Sequence, residues 1–169
     1  MGGQTLDGRI VLTGYTYNGT SYDILTMRYN TYGTPDSSFG IDGVVTYDSG
    51  NKDDKGRAVA LETDGKIVVA ARSSDATTSV AVILRYNGDG TLDNTFGSNG
   101  VVTYEGGYGN DGFREVVIQT DGKIIVSGYT KTNTTNTGFD VLMFRLLAFE
   151  GGGGGSSGGC FIATVGYGF

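Results

Sequence analysis

Cys160 is the single thiol of a chain that contains no histidine. A cysteine nucleophile needs an adjacent base or a cationic neighbour to hold it as thiolate. Cys160 stands instead between Gly158-Gly159 and Phe161-Ile162-Ala163. An inert small residue or a covalent tether therefore suits the position better than catalysis. One thiol also excludes an internal disulfide, and without histidine no Ser-His-Asp set can be built. Carboxylate pairs exist at Asp53-Asp54, Glu62 with Asp64, Asp89 with Asp93, and Glu115 with Asp121. Such pairs can run glycoside hydrolysis, but each of these falls at a turn or a strand end, where a solvated turn residue is the simpler account. Asn87-Gly88-Asp89-Gly90-Thr91-Leu92-Asp93 alternates oxygen-bearing side chains with glycine, as calcium loops do. It lacks the closing bidentate glutamate, and the matching stretch Asn30 to Asp36 has Tyr32 in place of Asp89. Asx-turn chemistry explains both copies without a metal. The expectation is a non-enzymatic chain with no catalytic, cofactor or metal residues.

Other chemistry recurs at intervals. Arg28, Arg85 and Arg145 each close an apolar run. They could read a repetitive ligand, or each guanidinium could bind its own following loop, at Asp36 or Asp93. Tyr15, Tyr17, Tyr22 and Tyr29 suit either a sugar- or protein-facing surface or a half-buried sheet. Asn18-Gly19-Thr20, Asn133-Thr134-Thr135 and the Thr132 to Thr137 run are candidate glycan attachments or plain solvated loops.

The elements that position these residues repeat. Asp7-Gly8, Asp64-Gly65 and Asp121-Gly122 stand 57 residues apart, each ahead of a β-branched run. Asp-Gly before such a run is a turn feeding a strand, because glycine tolerates positive φ. A constant interval of this length marks a repeat architecture. One full unit has four strands, at 57–62, 66–72, 79–86 and 100–104, joined by short connections that imply antiparallel pairing. Phe39-Gly40 matches Phe96-Gly97, Gly43 to Tyr47 matches Gly100 to Tyr104, and Arg57 to Glu62 matches Arg114 to Gln119. The last unit carries three extra residues in the 131–137 loop, so Arg145 lies 60 residues beyond Arg85. In the third strands Leu25, Val82 and Leu142 are equivalent, as are Met27, Leu84 and Phe144, while Ile24, Ala81 and Val141 point the other way. Apolar residues on both faces imply sheets covered on both sides. The fold class is therefore all-β: antiparallel four-stranded blade-like repeats, about two and a half of them, in an incomplete β-propeller-like array with repeat boundaries near 56 and 113.

Composition agrees. Gly occurs 31 times, Pro once and Trp never, and tyrosine is plentiful. A net charge of −6 without any basic patch argues against a nucleic-acid partner. No apolar run approaches the roughly 20 residues of a membrane helix, and no signal peptide is recognisable.

The Asp-Gly-Lys-Ile-Val-Val phrase, the stretch Arg85-Tyr86-Asn87-Gly88-Asp89-Gly90-Thr91-Leu92-Asp93 with Phe96-Gly97, and the following Gly-Val-Val resemble the bacterial delta-60 repeat, a propeller-like domain. The resemblance covers residues 4 to 149. It implies a large secreted or surface protein and no particular activity.

Three segments follow: a β-repeat domain over 1–150, a Gly/Ser linker over 151–159, and a C-terminal strand segment over 160–169. By the repeat ruler the chain opens at the second strand of one unit and stops after the third strand of another. A ring normally takes about four to eight blades, and bare sheet edges invite pairing. Phe161 to Val165 alternates and is β-prone. Its nine-residue leash reaches about 30 Å when extended, which suits insertion into a sheet edge. The segment can fold back as the fourth strand of its own last unit, where Ala163-Thr164-Val165 would match Val102-Thr103-Tyr104. It can also pair with the next subunit, an arrangement that propagates head to tail, or remain an unpaired tail. Cys160 to Thr164 further resembles a Cys-Phe-Ile-Ala-Thr box found after Gly-rich spacers near the C-termini of bacterial surface proteins, which implies export. The functional expectation is an exported extracellular structural protein whose partner is itself, assembled head to tail through Cys160, Phe161, Ile162, Ala163, Thr164 and Val165. The alternative is a ligand-binding propeller segment of a larger surface protein.

Overall fold

The computed structural model describes residues 2–4, 7–50, 52–106, 108–131, 139–146 and 163–164. Every regular element among them is a strand: β1 Gly2–Gln4, β2 Ile10–Tyr17, β3 Tyr22–Tyr29, β4 Val44–Tyr47, β5 Asp53–Leu61, β6 Ile67–Ser74, β7 Ser79–Tyr86, β8 Val101–Tyr104, β9 Gly112–Ile118, β10 Ile124–Thr130, β11 Asp140–Leu146 and β12 Ala163–Thr164. They form three four-stranded antiparallel sheets in simple sequential order, β1 to β4, β5 to β8 and β9 to β12, and the sheets do not close into a ring.

Turn chemistry sets the strand spacing. In the β5–β6 connection Glu62 N donates to Lys66 O at 2.9 Å, and Gly65 N donates to Glu62 O at 3.0 Å. Gly65 sits at φ 88° and Gly122, its counterpart between β9 and β10, at φ 78°. This is the three-residue hairpin in which glycine takes the left-handed position. Asp64 Oδ1 accepts from Lys66 N at 3.1 Å, and Asp121 Oδ1 accepts from Lys123 N at 3.2 Å. The repeated Asp-Gly phrase is therefore a self-contained turn.

The sheets stack face to face through two cores. Val11, Ile24 and Phe39 of the first repeat meet Val59, Ile67, Val69 and Leu84 of the second. Val68, Ala70 and Ile83, on the opposite face of the middle sheet, meet Phe113, Ile124 and Phe144 of the third. Period-two alternation sends successive residues of β6 to opposite cores, which is why Ile67 through Ala71 are all buried. Each buried valine, leucine, isoleucine or phenylalanine contributes about 1.5–3 kcal/mol of transfer free energy, and each alanine less.

Two short strands occupy the places that the repeat ruler leaves empty. β1 pairs with β2 through Gly2↔Leu12 and Gln4↔Ile10, where β5 pairs with β6 in the middle sheet. Two glycines suffice there because the ladder uses only the backbone. β12 pairs with β11 of the same chain through Phe144↔Thr164 and Arg145↔Ala163. In the middle sheet Leu84 pairs with Val101 and Arg85 N bonds to Gly100 O, so Thr164 takes the place of Val101 and Ala163 that of Gly100. The register lies two residues from the sequence match of Ala163 with Val102. An even offset keeps the same residues on the same face, so side-chain alternation alone could not have fixed it.

Candidate functional site

The chemistry-bearing residues of the loops are largely engaged within the fold. Arg28 Nε donates to Asp36 Oδ2 at 2.8 Å and its Nη2 to Ser38 Oγ at 2.9 Å. Arg85 repeats the pattern on Asp93, at 2.9 Å from Nε and 2.8 Å from Nη2. Both guanidiniums lie over the phenylalanine that follows, Phe39 and Phe96. The hydroxyl of Ser38, then the cation, hold Asp36 below the usual carboxylate range. Burial works against ionisation of Asp93, but Thr95 and Arg85 outweigh it and its pKa is also lowered. Of the two roles open to these arginines, loop binding is what the geometry displays for Arg28 and Arg85. Arg145 has no such loop among the described residues and is exposed.

The Asn87–Asp93 stretch is a turn held by Asp89, whose Oδ1 accepts from Thr91 N at 2.9 Å and from Thr91 Oγ1 at 2.6 Å. Asn18 likewise closes its own turn, accepting from Thr20 N at 2.8 Å and donating to Asp23. Tyr15 and Tyr22 pack edge to face, with Lys55 Nζ 4.3 Å above the Tyr22 ring. The Thr132–Thr137 loop, the 151–159 linker and Cys160, Phe161, Ile162 and Val165 lie outside the described residues. Only the backbone of Ala163 and Thr164 is described, on β11.

One recurrent pair escaped the sequence reading. Asp54 and Asp111 are both fully buried, and each ties down the crossover that carries the chain from one sheet to the next. Asp54 accepts from Ser49 N at 2.6 Å and Ser49 Oγ at 2.9 Å, and Ser49 Oγ also meets Ser73 Oγ at 3.0 Å. Asp111 accepts from Gly106 N at 2.7 Å. Gly106 has no hydroxyl, and Asp111 Oδ1 and Thr130 Oγ1 are left without partners among the described residues. The 57-residue interval between the two aspartates was the available signal. It was masked because Asp53-Asp54 reads as an exposed polar step.

A groove of about 400 Å³ lies between the second and third sheets, lined by Glu62, Lys66, Arg85 and Gln119. Glu62 is 12% exposed and stands 3.8 Å from Arg85. Burial raises its pKa despite that cation. At the equivalent place between the first two sheets, the loop of the following repeat is seated: Arg28 Nη1 donates to Gly88 O, and Gly40 N donates to Asp89 O at 2.8 Å. The corresponding residues, 147–150, lie outside the described residues, so the groove by itself identifies no ligand.

The outer faces of the stack are different. β2 and β3 turn Ile10, Leu12, Leu25 and Met27 outward, and β10 and β11 turn Ile125, Val141 and Met143 outward on the opposite end. Ile10 is 40% exposed and Val141 49%. These two faces carry apolar side chains that the described residues leave partly or fully exposed. A family model described as a domain of unknown function (DUF5122), beta-propeller, matches residues 6–39, 62–96 and 119–148, one match in each repeat. The chain belongs to this family. The three matched segments contain the hairpins β2–β3, β6–β7 and β10–β11, each with the turn ahead of its first strand. No curated protein matches the sequence. No helix among the described residues is long and apolar enough to cross a membrane.

Proposed function

We propose that this DUF5122 protein is a non-enzymatic, exported structural subunit that associates with itself head to tail, forming an extracellular filament or surface layer on a bacterium. One observation carries the reading: three stacked sheets that do not close, with apolar faces uncovered at both ends. A propeller ring normally takes about four to eight blades. Contiguous apolar surface of this kind marks interaction sites. The resemblance of the repeats to the delta-60 family, and of Cys160 to Thr164 to the box found in surface proteins, supports export. The segment from Cys160 to Val165 is the candidate for strengthening the assembly as a donated strand. Because Ala163–Thr164 pair with β11 of their own chain, donation requires that pairing to exchange for the same pairing on another copy. Electron microscopy and sizing of the purified full chain test the reading. Fibres or sheets are the expected result, and a monodisperse 17.7 kDa species overturns it. A second reading, a ligand-binding segment of a larger surface protein, draws on the groove beside Glu62 and Arg85. A monomer that retains a glycan on an array would favour it.

A further inference from the structure

The positions that line the outer face of the first sheet are buried in both other repeats. Ile10 is 40% exposed, whereas its equivalents Ile67 and Ile124 are 1% and 0% exposed. Leu12 and Met27 are partly exposed, while Val69, Val126, Leu84 and Phe144 at the same places are buried. The outer face of the third sheet shows the converse set. Val141 is 49% exposed, and its equivalents Ile24 and Ala81 are both at 0%. Inside the molecule, each junction brings the Ile24-type face of one sheet against the Ile67-type face of the next. The two uncovered faces are therefore the two halves of a junction that the fold already makes twice.

We propose that the outer face of the third sheet seats on the outer face of the first sheet of a second copy of this chain. The inference rests on the self-association reading and names its contact. It is sheet face on sheet face, so it does not depend on strand donation. Its polarity follows from the repeats, because first face on first face would bring together surfaces that never meet inside the molecule. Heterologous contacts of this kind either close a ring or propagate.

Arg145 supplies a polar anchor for the same junction. It is exposed, whereas Arg28 and Arg85 at the equivalent positions are buried. Arg28 donates across the first junction to Gly88 O in the loop of the following sheet. The equivalent carbonyl in a second copy is that of Thr31, beside Tyr32, which is 91% exposed. Arg145 therefore donates to Thr31 O of the second copy, continuing the clamp from sheet to sheet.

The test uses the full chain and the variants Met27→Glu, which charges the first face, and Val141→Glu, which puts the same charge on the third, so that the two altered faces repel rather than pair. Both positions lie on uncovered faces, and a far-ultraviolet circular dichroism spectrum like the parent's with a cooperative thermal transition verifies that each variant folds. Light scattering behind a sizing column reads the mass. Either variant alone should run as the 17.7 kDa monomer. A mixture of the two should give a one-to-one dimer and nothing larger, because each chain keeps one intact, complementary face. Dimers of Val141→Glu alone would mean first face on first face and overturn the proposal. Assemblies that ignore both variants but vanish when residues 160–169 are deleted also overturn it, while leaving self-association by strand donation in place. A discrete wild-type dimer dissolved by either variant supports the faces, as a closed ring of six sheets, and overturns the filament reading. Wild-type chain that stays monomeric overturns both.

Discussion

Ser49 and Gly106 hold equivalent places in the two crossovers, and the difference between them predicts a stabilising pair of substitutions. In the first crossover the Ser49 hydroxyl satisfies Asp54 and meets Ser73. In the second, Gly106 leaves Asp111 Oδ1 and Thr130 Oγ1 without partners. A Cβ built on Gly106 would lie 2.4 Å from Thr130 Oγ1 and 2.9 Å from Asp111 Oδ1. Gly106→Ser alone therefore collides with threonine, whose methyl restricts its rotation, and Thr130→Ser is needed to recreate the Ser49–Ser73 arrangement. A hydrogen bond to a buried carboxylate contributes about 1.5–3 kcal/mol and a neutral one about 1 kcal/mol. Replacing glycine at a negative φ adds about 0.4–1 kcal/mol through the unfolded chain. Losing the Thr130 methyl costs about 0.8 kcal/mol. The double variant should gain about 2 kcal/mol, a rise in Tm of about 4–8 °C for a chain of this size. Urea unfolding of the parent, both single variants and the double variant gives the coupling energy. A coupling below about 0.5 kcal/mol, or a double variant no more stable than the parent, refutes the equivalence of the two sites.

The remaining predictions concern packing and pH. Gly128→Ala should destabilise strongly, by about 3 kcal/mol or more, because its Cβ would stand 2.0 Å from Gly112 O and 2.8 Å from Phe113 Cα in a backbone that cannot rotate away. Thermal melting reads it, and a shift under about 2 °C would contradict the close approach at the β9–β10 bulge. Stability should also peak in mild acid. Asp36 and Asp93 titrate below their unfolded range, so their contribution is complete above about pH 3.9 and is lost as pH falls through their lowered folded values. Burial raises Glu62, so the folded state holds its proton longer and stability declines as pH rises from about 4.3 through the raised value. Glu62→Gln should abolish that upper decline and leave the acid limb intact. Urea midpoints across the acid and neutral range check both limbs, and an unchanged upper slope in the variant would refute the assignment.

Much of the fold was legible because its information is local. The Asp-Gly turns at Gly65 and Gly122 are closed by their own neighbours, so the phrase that produces them can be read without knowing what packs above. The Arg28–Asp36 and Arg85–Asp93 pairs are eight residues apart in sequence and equally readable. Asp54 and Asp111 were not, because their burial is conferred by the crossover folding over them, and an aspartate beside Asp53 or within Asn110-Asp111-Gly112 looks like a solvated turn residue until that happens. The first strand was missed for a related reason. Gly2 and Gly3 carry no side-chain pattern, yet a ladder needs only backbone groups.

Sequence alone determined the interval, the four-stranded unit, the all-β class and the turn chemistry, since each depends on residue type and spacing along the chain. Tertiary structure decided which positions are covered. Ile10 and Ile67 are the same residue at the same place in the repeat, yet one is exposed and the other buried. Burial depends on the neighbouring sheet, and no periodicity within a strand records whether that neighbour exists. It also decided the placement of Ala163–Thr164 on β11, because strands offset by two residues present identical faces, and only the docked backbone distinguishes them.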